Sequence, residues 1–181
     1  MRRKDKNGFT LVEVLIIVGI IGIMIAIVVP NLLSWAPNMR LKAAARDLYG
    51  AAMKAKSEAV KRNVDCALTF NQKVPTTGTT TYAYIVYEDA DDDCQYDNGE
   101  NIIAQMQQWP KGTTLDSTQG GGAGLTFPSY GSGNPTISFS PTSIPTTPPG
   151  GPIPNGSAFL ININGRKASV VISRAGNISI N

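Results

Sequence analysis

The chain has 181 residues, enough for one globular domain with attached segments, and 42% of its residues are hydrophobic. Its formal net charge of +3 comes from the first eight residues, because twelve basic and twelve acidic residues balance after Gly8. That balance argues against a surface that binds polyanions as a whole. The sequence has no histidine, which excludes Ser-His and Cys-His nucleophile pairs, histidine acid–base catalysis and most zinc sites.

The first predicted element is a membrane-spanning helix over residues 9–29. Its 21 residues carry Glu13 as their single charge, and at about 1.5 Å per residue they are long enough for a bilayer core. Four basic residues among the first six predict a cytoplasmic N-terminus by the positive-inside rule. The apolar run is longer than that of a secretory signal and has no small-x-small cleavage site, so we expect the helix to stay with the protein.

Glu13 needs an explanation, because a carboxylate in an apolar helix costs on the order of 2.5–3.5 kcal/mol on insertion scales. In one explanation it lies near the lipid headgroups and reaches toward them. In the other it has a cationic partner within the apolar layer. Cleavage between Gly8 and Phe9 would create such a cation, an α-amino group four residues before Glu13.

The basic leader, Gly8, the run Phe9-Thr10-Leu11-Val12-Glu13 and the apolar helix up to Pro30 together resemble the class III signal of type IV pilins and type II secretion pseudopilins. The resemblance implies that a prepilin peptidase removes residues 1–8 and methylates the new N-terminus at Phe9. It also implies that Glu13 pairs with the N-terminal amine of a neighbouring subunit during filament assembly.

Residues 30–63 are predicted to continue the helix in an amphipathic form. Pro30 and Pro37 are expected to interrupt the helical pattern, either as a static kink or, as the resemblance implies, as a region that loses helix on assembly. The outer face is cationic and fits either a solvated surface or contact with headgroups and acidic neighbours. The predicted buried positions recur at intervals of three and four residues: Leu41, Ala45, Leu48, Ala52, Ala55 and Ala59.

Residues 64–181 are predicted to form an extracytoplasmic β-sheet domain, because the hydrophobic period changes from helical to two after Asn63. The expected fold class is α+β, with the long N-terminal helix packed on an antiparallel sheet as in pilins. The strand candidates are 64–70, 81–87, 102–106, 136–140, 158–163, 168–173 and 177–180.

Residues 117–157 are rich in Gly, Pro, Ser and Thr and contain no charge. A structureless loop of this length is unusual in a compact domain. We interpret it as an exposed excursion, either flexible filler or a subunit-specific contact surface, with residues 136–140 as its one ordered piece.

The acidic segment 89–100 has EF-hand ligand spacing. Oxygen-bearing residues stand at loop positions 1, 3, 5, 7, 9 and 12, and hard oxygen ligands suit Ca²⁺. Cys94 occupies the position that favours Gly, so a charged hairpin loop that ends in a turn at residues 97–99 is the alternative. The candidate calcium ligands are Asp89, Asp91, Asp93, Gln95, Asp97 and Glu100.

The two cysteines, Cys66 and Cys94, are predicted to form one disulfide, since they follow a membrane-targeting segment that leads to an oxidising compartment. Two unpaired thiols are the alternative.

The C-terminal pattern, a Val-Val-Ile-Ser strand, two residues, Gly176 and a last strand, is similar to that of the GspH/FimT branch of the family. Some members of that branch bind DNA through a basic Gly-Arg-x-Arg tail, which is absent here because Asn177 and Ser179 follow the glycine. The candidate phosphate contacts are Arg166, Lys167 and Arg174.

The predicted function is therefore that of a minor pilin or pseudopilin, a non-enzymatic structural subunit of a type IV pilus or a type II secretion pseudopilus. The alternative is a DNA- or ligand-binding minor pilin at a filament tip. Apart from the calcium of the acidic loop, no cofactor is expected. The expected location is the inner membrane, in a single pass, and then a periplasmic or extracellular filament. The expected partners are other pilin subunits, the prepilin peptidase and the inner-membrane assembly platform.

Overall fold

The computed structural model describes residues 9–75, 79–130, 133–147, 151–152 and 155–181. The chain divides into two compact units, the first ending at Ala36 and the second formed by Pro37–Asn181. One helix, α1, covers Leu11–Arg62 and therefore begins in the first unit and ends in the second. Pro30 and Pro37 both lie within α1, so the predicted interruption of the helix at these residues is wrong.

The second half of α1 presents a stripe of small side chains to the core. Alanine suits this position because its small side chain lets a helix approach a sheet closely. The helix ends before Asn63, whose φ of 56° is the left-handed conformation that commonly terminates helices. All six predicted positions are buried, together with Ala44 and Ala51: Leu41, Ala45, Leu48, Ala52, Ala55 and Ala59.

The strands form two antiparallel sheets rather than the single predicted one. The first sheet has the order β3-β2-β1-β6-β7-β8, with β5 paired to β6, and the second has the order β11-β10-β9-β4. Their bounds are β1 Asp65–Pro75, β2 Thr79–Asp89, β3 Ile102–Met106, β4 Thr113–Leu115, β5 Ser129–Tyr130, β6 Asn134–Phe139, β7 Pro145–Thr147, β8 Gly151–Pro152, β9 Gly156–Asn162, β10 Lys167–Ile172 and β11 Ile178–Ile180.

All seven predicted strands are present, and the prediction of an α+β fold with one long N-terminal helix is confirmed. The four strands that were not predicted are β4, β5, β7 and β8, each of two or three residues. Segments this short are shorter than the run of four to eight residues in which alternation can be recognised.

The segment 117–157 contributes to the core, which corrects its interpretation as an exposed excursion with one ordered piece. Leu125 and Phe127 are buried in the same cluster as the alanine stripe of α1. Leu125 forms an isolated bridge with Ala158 of β9. The segment also contains β5, β6, β7 and β8. A large part of it therefore packs on both sheets rather than leaving the domain.

The first sheet is buried on both faces. Cys66, Leu68 and Phe70 of β1 face the cluster that includes α1. The intervening residue Ala67 and its partner on β2, Tyr87, belong to a second cluster on the opposite face. This second face positions the acidic loop, because Tyr96 of that loop packs edge-on against Tyr87, with ring centroids 5.4 Å apart.

Candidate functional site

The N-terminus of α1 carries the predicted assembly residue. Thr10 caps the helix, since its Oγ1 accepts a hydrogen bond from the Glu13 N–H at 3.2 Å and its carbonyl accepts one from the Val14 N–H at 3.2 Å. Glu13 lies in the first turn, where a negative charge interacts favourably with the helix dipole. Thr10 was not predicted, although the spacing Thr-x-x-Glu before an apolar run is the signature of a capping box.

The cleavage position lies at the boundary of the described part of the chain. Gly8 falls outside the described residues, while Phe9 precedes α1 and is 77% exposed. Phe9 therefore lies in non-helical, accessible chain, as a residue that becomes an N-terminus must.

The apolar half of α1 has no cover within the subunit. Its most apolar 18-residue window has a mean hydropathy of 3.1, and none of that window is buried. Large side chains from Phe9 to Trp35 stand exposed to solvent. A surface of this kind is unstable in water and requires lipid or other protein chains around it. By length and composition, the helix can cross a membrane.

The acidic loop is organised around one buried carboxylate. Both oxygens of Asp89 accept backbone hydrogen bonds, from the N–H groups of Asp93 at 3.1 Å and Cys94 at 2.9 Å. Burial raises the pKa of Asp89 to about 7. Cys94 adopts a φ of 57°, so the position at which the EF-hand pattern favours Gly is indeed a left-handed turn.

The other end of the loop is closed by Glu100. Its carboxylate accepts hydrogen bonds from the N–H groups of Ala90 at 3.3 Å and Asp97 at 2.8 Å. The Glu100 N–H donates to the Asp97 carbonyl at 3.2 Å, which forms the predicted turn at residues 97–99. Burial raises the pKa of Glu100.

Only the first half of the predicted calcium ligand set is brought together. Carboxylate oxygens of Asp89, Asp91 and Asp93 lie within 4.8 Å of one another, a spacing that a divalent cation can bridge. The Gln95 side chain instead donates to Asp93 at 2.9 Å, and Asp97 and Glu100 do not join the group. The residues therefore fit three carboxylate ligands and not the six-ligand EF-hand set.

The predicted disulfide is not formed in the structure, which has Cys66 and Cys94 as buried free thiols. The reason is the parity of β1. Cys66 faces the α1 side of the first sheet, whereas the Cys94 thiol lies beside the hydroxyl of Ser138. Ser138 pairs with Ala67, whose side chain belongs to the cluster on the opposite face. The sheet itself separates the two sulfur atoms.

The three C-terminal cations do not form one patch. Lys167 is occupied, because its Nζ lies 2.7 Å from Oδ2 of the buried Asp116 and 3.1 Å from Oγ1 of Thr118. Arg166 and Arg174 are exposed but stand at opposite ends of β10, a strand of six residues that spans roughly 20 Å. The predicted cluster is therefore wrong as a single phosphate-binding site, and Asp116 is the partner that the sequence analysis did not identify.

Two family models match the chain. The model described as "Type II transport protein GspH" matches residues 44–176, and the model described as "Prokaryotic N-terminal methylation motif" matches residues 3–29. Together they cover the apolar segment, the second half of α1 and almost all of both sheets.

Similar proteins include the "Pilin-like protein PilA1" of Thermus thermophilus, which is 29% identical over 175 residues, 94% of this chain and 96% of the relative. The "Type II secretion system core protein G" of Klebsiella michiganensis is 27% identical over 112 residues, 62% of this chain and 72% of the relative. A crystal structure of the type IV minor pilin FimU of Pseudomonas aeruginosa aligns with a TM-score of 0.47 and 14% identity, covering 81% of this chain and 92% of that one.

Proposed function

The chain belongs to the GspH family of type II transport proteins, and from that premise we propose that it is a minor pilin or pseudopilin. It serves as a structural subunit of a type IV pilus or of a type II secretion pseudopilus. The observation that carries this proposal is a methylation motif over residues 3–29 that leads into a helix whose apolar side chains are all uncovered in the single subunit. Such a helix is built to be covered by lipid and then by other subunits.

Processing is the first step of the proposed pathway. A prepilin peptidase cleaves between Gly8 and Phe9 and methylates the Phe9 amine. The match of the methylation motif across these residues supports this step, as does the exposed, non-helical position of Phe9.

Assembly then depends on the charge of Glu13. A new amine at Phe9 lies only two residues before α1, where the positive end of the helix dipole disfavours a cation. A carboxylate from a neighbouring subunit relieves that repulsion within the apolar layer. Glu13 of one subunit thus pairs with the Phe9 amine of the next, and the pair fixes the register of the filament.

The subunit crosses the inner membrane once, with its N-terminus in the cytoplasm and residues 37–181 outside it. The four basic residues before Phe9 support this orientation. Its partners are other pilin subunits, the peptidase and the inner-membrane assembly platform. A structural and not a catalytic role is supported by the family and by a sequence without histidine.

The proposal is tested in the native host by intact-mass measurement and filament assembly. Protein from assembled filaments is expected to lack residues 1–8 and to carry one methyl group on Phe9. Glu13→Gln, which keeps the shape but not the charge, is expected to insert in the membrane and to enter filaments poorly, whereas Glu13→Asp retains assembly. Thr10→Ala is the matched control for helix capping alone. A retained leader in filaments, or normal incorporation of Glu13→Gln, contradicts the proposal.

A further inference from the structure

A groove of about 310 Å³ opens at the boundary between the two sheets. Asn71 of β1, Tyr82 of β2 and the two residues after β3, Gln107 and Gln108, form one wall. Thr113 of the edge strand β4 lies on the other side, and Trp109 belongs to the connection between them. This volume is at the lower end of the range of about 300–1,000 Å³ that small-ligand sites occupy.

The chemistry of the groove is neutral and rich in hydrogen-bonding groups. None of its lining side chains carries a charge. Each amide of Asn71, Gln107 and Gln108 provides both donors and an acceptor, a combination that matches adjacent hydroxyl groups of a ligand. The rings of Tyr82 and Trp109 add flat apolar surface with polar edges.

One buried group in the groove points to a missing partner. Thr113 is 3% exposed, and its hydroxyl has no hydrogen-bond partner within the described part of the chain. Buried hydroxyls in folded proteins nearly always have a partner, so an unpaired one at a groove wall calls for an explanation. Its backbone is fixed, since the Thr113 N–H donates to the Pro110 carbonyl at 2.9 Å and Thr113 pairs with Asn162 of β9.

The walls are held in place before any ligand arrives. Trp109 packs against Tyr84 with ring centroids 5.8 Å apart. The Gln107 carbonyl accepts a hydrogen bond from the Ala83 N–H at 3.2 Å. Asn71 has a φ of 54° in the middle of β1, a conformation in which a residue other than glycine is uncommon. A site whose walls are ordered in advance loses little conformational entropy on binding.

We propose that this groove binds a neutral carbohydrate. The amides and the Thr113 hydroxyl recognise sugar hydroxyl groups, while the Tyr82 and Trp109 rings contact the apolar face of a sugar ring. The absence of charge among the lining residues disfavours nucleic acids and anionic polysaccharides. The inference is independent of the structural role of the subunit, and its failure would leave that role unaffected.

The test uses the full chain in a zwitterionic detergent, because a maltoside detergent presents a neutral disaccharide of its own. The chain has two tryptophans, so a Trp35→Phe background makes the fluorescence report on Trp109 alone. The probes are cellobiose, lactose, mannobiose and N,N′-diacetylchitobiose. At least one is expected to change the Trp109 emission in a saturable manner, with a Kd of about 1 mM and no dependence on salt.

Gln107→Ala and Asn71→Gly are expected to weaken that binding roughly tenfold each, since each removes an amide that contacts the ligand. Glycine at position 71 preserves the left-handed backbone. Gln105→Ala is the matched control, because Gln105 is an exposed amide on β3 that does not line the groove. The proposal is overturned if no probe binds, if Gln107→Ala binds like the parent, or if a sulfated heparin disaccharide binds more tightly than the neutral sugars.

Discussion

The ring of Phe127 stacks on the ring of Phe70, with centroids 5.4 Å apart and planes 12° from parallel. Phe70 belongs to β1, whereas Phe127 belongs to the Gly/Pro/Ser/Thr-rich segment 117–157. This stacking makes a segment of low complexity part of the hydrophobic core. It also means that the segment tolerates substitution less well than an exposed loop does.

Gly156→Ala is expected to destabilise the fold. A Cβ at Gly156 of β9 would lie 2.1 Å from a carbon of the Phe127 ring, so the stacked ring would have to move. Overpacking of this kind costs about 1–3 kcal/mol. The measurement is chemical unfolding of the full chain in detergent.

The matched control for this substitution is Gly50→Ala. Gly50 lies on the exposed side of α1, and a Cβ there would meet no atom within 4 Å. Alanine is expected to stabilise the helix by about 0.5–1 kcal/mol. Equal stability of Gly156→Ala and the parent would show that Phe127 does not hold its position in the core.

Asp116→Asn is expected to lower stability above pH 4 and to remove part of the acid sensitivity of the protein. The Lys167 ammonium and the Thr118 hydroxyl lower the pKa of Asp116 from 3.8 to about 2. A lowered folded-state pKa stabilises the protein above the unfolded-state pKa, and that contribution is lost as the pH falls from about 4 to about 2. Thermal melting of the parent and the variant across this range is the measurement.

The partner variant for this prediction is Lys167→Gln. It is expected to give a similar loss at neutral pH, and the double variant should lose little more, since both changes break the same ion pair. Additive losses would show that Lys167 and Asp116 act independently.

The two cysteines are expected to be free and unreactive in the folded protein. Burial, with a further effect of Glu88, raises the pKa of Cys66 to about 12, and burial raises the pKa of Cys94 as well. Because the thiolate is the reactive form, maleimide should label neither residue near neutral pH in the folded state. After unfolding without reductant, mass spectrometry should find two labels. A single species without labels after unfolding would demonstrate a disulfide.

The calcium prediction for the acidic loop remains to be tested, now with three carboxylates in place of six ligands. Extracellular calcium modules bind at about 10⁻⁴–10⁻³ M, and three converging carboxylates are expected to bind no more tightly. Millimolar Ca²⁺ should therefore raise the melting temperature of the full chain more than Mg²⁺ does. Asp91→Asn should abolish this increase, because Asp91 is an exposed member of the group. Asp47→Asn, an exposed acid on α1, is the control, and equal melting in Ca²⁺ and chelator would contradict the prediction.

Local patterns in the sequence determined the elements of this protein and their order. The cleavage motif, the apolar helix, the alanine stripe and seven strands depend on spacings of a few residues, which a single segment displays by itself. The family followed from the same local signals, Gly8 to Glu13 above all. Pro30 and Pro37 were misjudged, since a proline predicts a break although the surrounding helix continues through it.

Only the tertiary structure decided which side chains meet. Cys66 and Cys94 stand near each other along the first hairpin, but a change of one residue in a strand moves a side chain to the other face of the sheet. In the same way, Lys167 was a candidate DNA contact until the fold paired it with Asp116, 51 positions earlier in the chain. The groove of Asn71, Gln107 and Thr113 exists because two sheet edges come together. Such contacts depend on register and on the packing of distant segments, which no local period encodes.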